Sequence, residues 1–218
     1  MHKNLDKMTE KHPIDIALLA ETYDIERVTE CPQLNEWVSA KYDLTVFEQT
    51  LFDNIFSKTK DDVNYFNEEE LKMHMISPLF LIADINVPKK IRIFFERPLK
   101  ATIKDYILSV NCDCMAATPM QFNKPKRPYF FLQEYKKGKG DDKDPEAQML
   151  AAMIIAQHQN NDGLPLFGSY IIGSHWYFTT LVGKNYCSSP EFDADDSDDL
   201  LQVVFILKKL KDILIQRP

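Results

Sequence analysis

Tyr129-Phe130-Phe131-Leu132-Gln133-Glu134-Tyr135-Lys136 is the stretch on which the fold of this chain turns. It is apolar almost without a break, then ends in an acid and a base. A run of that kind is expected of a central strand buried on both faces. Side chains alternate along a strand, so Glu134 and Lys136, two apart, point to the same side. Carrying a carboxyl and an ammonium out of a core strand together is costly unless they are paired or bound to something.

Upstream lies a polar, proline-rich loop, 118–128, and before it a meander. Residues 91–95, 100–103 and 106–114 read as strand, with Lys104-Asp105 as the turn. Asp113 therefore sits on a strand able to neighbour the quoted one. Asp105 is the rival acid, but a hairpin turn favours Asp for conformational reasons alone. Two converging carboxylates, Asp113 and Glu134, suit a hard divalent ion such as Mg²⁺. Lys136 beside them suits a role in orienting water or holding developing negative charge.

Helices are expected on both sides of this sheet. Thr45 can cap a helix over 45–58 with Phe47, Leu51, Phe52, Ile55 and Phe56 as its buried stripe. Asn67 can cap a second, with Glu68, Glu69 and Glu70 in the first turn, a stripe of Met73, Ile76 and Phe80, and Pro78 as a kink or end. Downstream, 138–143 reads as a flexible loop and Asp144-Pro145 as a helix start. Strands over 168–172 and 176–182 follow. Ser197 then caps an amphipathic helix burying Leu200, Val203, Val204, Leu207, Leu210 and Leu214. The order predicts an α/β protein with a mixed central sheet flanked by helices.

Asp113, some twenty residues, then Glu134-Tyr135-Lys136 resembles the PD-(D/E)XK nuclease superfamily. Asn67-Glu68-Glu69-Glu70-Leu71-Lys72 followed by Ile76-Ser77-Pro78-Leu79 is similar to the N-terminal helix of the nuclease domain in type I restriction enzymes. Gln148 falls where the family often has glutamine. Cys112 departs from the pattern, standing where the family name expects proline. The resemblance implies a restriction-endonuclease-like αβββαβ core within 63–218, preceded by an N-terminal helical extension, 1–62. It implies a Mg²⁺-dependent nuclease acting on DNA, with Mn²⁺ able to replace Mg²⁺. Asp113 and Glu134 would be the metal ligands, and Asp113, Glu134, Lys136, Gln148 and one of Glu68 or Glu70 the catalytic set. The alternative is a nuclease-fold module that has lost catalysis and binds nucleic acid or a protein. Residues 1–60 stand as a surface for a homodimer or a cover for the site.

The rest of the sequence narrows the field. A net charge of −7 disfavours a protein that relies on broad attraction to nucleic acid, although Lys124, Lys126, Arg127, Lys136, Lys137, Lys139 and Lys143 cluster. The five histidines are scattered, and Cys112-Asp113-Cys114 without a second pair does not make a zinc site, so all four cysteines read as buried thiols. Glycine-rich phosphate loops and serine-nucleophile motifs are absent. No apolar run is long enough to span a membrane and the start has no signal-like segment, so a cytoplasmic protein is expected.

Overall fold

The computed structural model describes residues 10–137 and 144–217. In chain order these form β1 (Glu10–Lys11), α1 (Ile16–Tyr23), β2 (Glu26–Arg27), α2 (Pro32–Val38) and α3 (Val46–Thr59). Then come α4 (Glu68–Leu71), a π-helical turn (Lys72–Ile76) and α5 (Ser77–Ile82). The meander is β3 (Arg92–Ile103), β4 (Tyr106–Met120) and β5 (Lys124–Lys136), followed by α6 (Pro145–Asn160). The chain closes with β6 (Leu166–Ile172), β7 (His175–Val182), β8 (Asn185–Ser188), β9 (Phe192–Asp193) and α7 (Ser197–Gln216). The expected loop over 138–143 lies outside the described residues.

The molecule is α/β, with a mixed nine-stranded sheet ordered β1-β4-β5-β6-β7-β8-β2. β3 lies against β4 and β9 against β7. Helices cover both faces. On one, α2, α5 and α7 enclose an apolar cluster reaching the sheet through Phe131, Tyr135, Ile171, Trp176 and Phe178. On the other, α1 and α6 pack on Met115, Leu132 and Tyr170. Trp37 anchors the first face, with its ring edge-on to Phe131, Phe167 and Phe178 and its Nε1 donating to Ile206 O at 2.8 Å. Burying so large a side chain with its N–H satisfied contributes about 3 kcal/mol.

α6 is apolar from Ala147 to Ala156 but for Gln148, and is buried around its circumference over Met149–Ala156. Gly168 on β6 brings it close to the sheet: a Cβ there would lie 2.8 Å from Met149 Sδ and 3.2 Å from Leu132 O. Asp144 caps the helix by accepting from Glu146 N and Ala147 N, and Pro145 occupies the first turn, where its missing N–H costs nothing.

Several expectations need correction. The segment 10–62 is not only helical: β1 and β2 join opposite ends of the sheet as parallel strands, on β4 and β8. The strands expected at 91–95 and 100–103 are one strand, and most of the expected loop 118–128 is paired β4–β5 hairpin. Phe47 and Met73 are exposed, at 73% and 69%. Phe47 lies in the first turn of α3, beyond the reach of the core. Met73 points outward from the π-helical turn, while Met75, four residues after the buried Leu71, is the methionine that enters the core. Asp196, not Ser197, caps α7. Cys31 and Cys187 form a disulfide across a Cα separation of 6.4 Å, leaving Cys112 and Cys114 as buried thiols. Among the described residues no helix is long and apolar enough to cross a membrane.

Candidate active site at the fork between two strands

The site arises where β4 and β5 part. β3 covers one edge of β4 from Tyr106 to Ala117, so β1 and β5 must share the other edge. β5 pairs with β4 from Met120↔Lys124 to Cys114↔Gln133 and goes no further. β1 takes up the same edge only at Tyr106 and Ile107. β5 meanwhile stays with β6 as far as Lys136↔Ile172. The two strands therefore fork, with Asp113 on one prong and Glu134 facing it on the other.

Asp113 sits at a break in alternation. Val110 and Cys112 belong to the α6-side cluster, yet so do Met115 and Ala117, whereas Cys114 and Ala116 face the opposite side. A regular strand keeps residues two apart on one face, so the pleat slips a place between Cys112 and Met115. β3 slips with it. Glu96, lying across from Asp113 between the pairs Phe95↔Cys114 and Arg97↔Cys112, has a φ of +52°. A non-glycine residue in that region is strained, and such strain persists only where surrounding structure enforces it.

At the fork the Asp113 side chain replaces the missing ladder. Its Oδ2 accepts from the Tyr135 backbone N–H at 3.0 Å and from Lys136 Nζ at 3.5 Å. Lys136 Nζ also donates to Tyr135 O at 3.0 Å and stands 3.3 Å from Glu68 Oε1. Glu134 is 0% exposed, and its carboxyl lies against Asp113, without a full hydrogen bond to either oxygen among the described residues. Burial, with the Asp113 charge adding to it, pushes the Glu134 carboxyl well above the usual carboxylate range; Lys136 opposes this without prevailing. Burial likewise raises Asp113, despite the Tyr135 N–H and Lys136. Lys136 is pulled down by burial, but Asp113, Glu68 and Glu134 outweigh it and hold the ammonium above its ordinary value.

A second layer surrounds this core. Lys72, at the start of the π-turn, bridges Glu69 at 2.7 Å and Glu96 at 3.3 Å and lies 5.8 Å from the Tyr135 ring centre. Asn111 donates to Glu96 Oε2 at 2.8 Å. A cleft of about 620 Å³ opens beside the fork, lined by Lys11, Asp15, Asn111, Asp144 and Gln148, and Gln148 Oε1 is buried with no hydrogen-bond partner among the described residues.

Of the residues singled out in the sequence, Asp113, Glu134, Lys136 and Glu68 come together. Gln148 lines the adjoining cleft. Glu70 does not join them: its carboxylate accepts from Asn67 N at 2.8 Å while Asn67 Oδ1 accepts from Glu70 N, a closed capping box. Glu96, Lys72 and Asn111 went unrecognised. The only sign of them was the gap at 96–99 in the strand pattern, where Glu96-Arg97-Pro98 interrupts the alternation.

The donor set suits a hard cation. Among the described residues no group of three or more His, Cys, Asp or Glu side chains is gathered to hold a metal, so the candidate set is the Asp113–Glu134 pair with the Tyr135 carbonyl beside it. Two carboxylates with the rest of the shell left to water is how Mg²⁺ commonly binds. Compared with known protein families and with curated proteins, the chain matches no family model and no curated sequence.

Proposed function

We propose that this chain is a metal-dependent nuclease of the PD-(D/E)XK type that hydrolyses phosphodiesters in DNA, with Mg²⁺ as its ion. The observation that carries the reading is the Glu134 carboxyl, wholly buried against Asp113 and Lys136, with no full hydrogen bond to either oxygen among the described residues. An ionised carboxylate cannot rest in that position without a cation. Lys136 alone does not balance Asp113, Glu134 and Glu68. The succession α4–α5, β3, β4, β5, α6, β6 supports a restriction-endonuclease-like core, since it gives the αβββαβ order with β6 parallel to β5.

A bound Mg²⁺ supplies a Lewis acid and a water acidified towards neutral pH. The chain's own groups do the rest. Asp113 and Glu134 give up their proton to hold the cation, so loading strengthens as pH rises. Asp113 also fixes the Tyr135 backbone, which keeps β5 in place where its ladder to β4 has ended. Lys136, held as an ammonium by the carboxylates around it, has no lone pair to give, so it acts on water or on a phosphate oxygen rather than on the metal. Glu68, half-exposed on α4, holds that ammonium from the solvent side. The cleft beside Gln148 gives substrate its way in.

The test uses purified protein with Mg²⁺ or Mn²⁺ and linear, circular and single-stranded DNA. Cleavage by the wild type is expected. Lys136→Ala loses it while keeping metal binding, and Glu134→Ala loses both. Activity surviving in Lys136→Ala would show the wrong lysine has been assigned. The acidic rim of Glu69, Glu96, Asp15 and Asp144 repels a polyanion and so favours a second reading, a module that binds a protein without cutting. Metal binding with no cleavage of any of the three DNAs would select it, and a protein that binds no metal would sink the nuclease reading.

A further inference from the structure

The tip of the β4–β5 hairpin stands clear of the sheet. β3 reaches along β4 no further than Ala117, and β6 meets β5 only from Phe131 onward. The last pairs of the hairpin, Thr118↔Lys126, Pro119↔Pro125 and Met120↔Lys124, therefore have no further strand beside them among the described residues. Gln121, Phe122 and Asn123 close the end. Phe122 is 90% exposed, the most exposed large apolar side chain among the described residues, and Met120 is 51% exposed. The φ of Phe122 is +60° and that of Asn123 is +54°. Asparagine tolerates that region, but an aromatic residue there is strained, and Phe122 gains no burial in return. A turn serving the fold alone favours glycine, asparagine or aspartate at such a place.

The shoulders of the hairpin are basic. In a chain of net charge −7, residues 114–133 hold no Asp or Glu, while Lys124, Lys126 and Arg127 all lie there exposed. Lys124 and Lys126, two apart on one strand, project to the same side. Arg92, exposed at the start of β3, adds a fourth cation, its Nη1 donating to Asn123 Oδ1 at 3.2 Å. Arg127 donates through Nη1 to Gln159 O at 3.0 Å, and Asp162, which lines the same cleft as Arg127, has its Oδ1 engaged by Leu164 N.

An exposed ring framed by positive charge matches an unpaired base and the phosphates on either side of it. A duplex fits less well, because a ring wedged between paired bases must first break their stacking, whereas an unpaired base offers its face at no such cost. A membrane fits worse. One ring and a half-exposed methionine insert little apolar area, and Gln121 and Asn123 would be carried into hydrocarbon with them.

We infer that the β4–β5 hairpin is a finger for single-stranded nucleic acid, with Phe122 stacked on a base and Lys124, Lys126, Arg92 and Arg127 holding the flanking phosphates. Its tip lies roughly 20 Å along β4 from Asp113, so this surface is separate from the fork, and its binding requires neither metal nor cutting.

Full-length protein in EDTA is titrated at several salt concentrations with labelled oligothymidine and oligouridine of about twelve nucleotides, a duplex of the same length, and vesicles of phosphatidylcholine with phosphatidylserine. Saturable binding of a single strand is expected, about tenfold tighter than that of the duplex, and the tighter of the two strands identifies DNA or RNA as the partner. Phe122→Ala removes an exposed side chain and should weaken binding about tenfold with its salt dependence unchanged, while Phe122→Tyr should retain it. Lys124→Gln combined with Lys126→Gln should weaken binding and flatten the slope of log K against log salt by about 1.4, or ~0.7 for each phosphate given up. Phe122→Trp supplies a direct signal: its exposed indole should be quenched by the bound base, whereas Trp37 and Trp176, wholly buried, should not respond. Glu134→Gln should leave these titrations unchanged, so this inference and the nuclease reading fail separately. The inference is overturned if neither single strand binds, if the duplex binds as tightly as they do, if vesicles capture the protein through Phe122 instead, or if Phe122→Ala binds like the wild type.

Discussion

Lys208 and Lys136 both meet glutamates in shielded places, and the two meetings differ. Between α3 and α7, Lys208 pairs with Glu48 Oε1, and each side chain is 17% exposed. The other oxygen of Glu48 accepts from Thr45 N at 2.8 Å and Thr45 Oγ1 at 3.0 Å, closing a capping box. Burial pushes Glu48 up, but Lys208 and Thr45 prevail and its pKa ends below the ordinary value. One acid meets one base, and every oxygen is used. At the fork, Lys136 faces Asp113, Glu68 and Glu134, both strand carboxyls end above their ordinary values, and neither Glu134 oxygen has a full hydrogen bond among the described residues. Ion pairs that only fasten helices together are balanced and lower their acid's pKa. A cluster left acid-rich and desolvated is arranged for a cation that comes from outside the chain.

The contrast can be broken first on rate. Glu134→Gln keeps the shape and removes the charge, so DNA cleavage should fall about a thousandfold, while Glu48→Ala leaves it within about twofold. Initial rates at saturating Mg²⁺ decide, and similar losses in both variants would erase the distinction. Stability should move in opposite directions. In urea unfolding of the metal-free protein near pH 7, Glu48→Ala costs about 1.5 kcal/mol through its lost cap and ion pair. Glu134→Gln gains about 1 kcal/mol by removing a carboxyl that resists ionisation.

Titration sharpens the same point. Glu134 has a raised native pKa, so its contribution to stability is fully present below the ordinary carboxyl value of about 4.3 and is lost as pH rises through the native value. Glu48 has a lowered one, so its contribution is present above the ordinary value and is lost as pH falls through the native value. The advantage of Glu134→Gln should therefore vanish near about pH 4 and grow towards neutrality, and the cost of Glu48→Ala should shrink on acidification. A Glu134→Gln advantage that is independent of pH would show that its carboxyl is not the cause. Mg²⁺ affinity of the wild type should rise over the same window, with proton release visible as a buffer-dependent binding heat.

The smallest effects separate two neighbouring glutamates. Glu68→Gln should slow cleavage about tenfold by loosening Lys136, with stability changed by less than about 0.5 kcal/mol. Glu70→Ala should cost about 1 kcal/mol by opening the capping box at Asn67 and leave the rate alone. The reverse pattern would move the catalytic carboxylate to Glu70.

Local chemistry made the meander, α6 and α7 legible. Lys104-Asp105 turns, Asp144-Pro145 starts a helix, and Leu200 to Leu214 recur with the helical period, all decided by residues within a few positions of one another. The two-residue step from Glu134 to Lys136, at the end of an apolar strand, likewise marked where charge leaves the core, and Asp113 lies where a neighbouring strand would put it. The rest depended on distant parts of the chain. β1 and β2, two residues each, are too short to carry a pattern and are strands only because β4 and β8 offer free edges. Met75 rather than Met73 enters the core, and Lys72 bridges Glu69 and Glu96 only because the π-helical turn packs beside β3. Glu96 joins the site through the register of β3 on β4, and Asp113 is free to meet Tyr135 and Lys136 because the β4–β5 ladder stops at Cys114↔Gln133. Sequence alone fixed which groups were costly to bury. Only the packed sheet decided which of them would meet, because a ladder's end point is a property of strands meeting rather than of either strand.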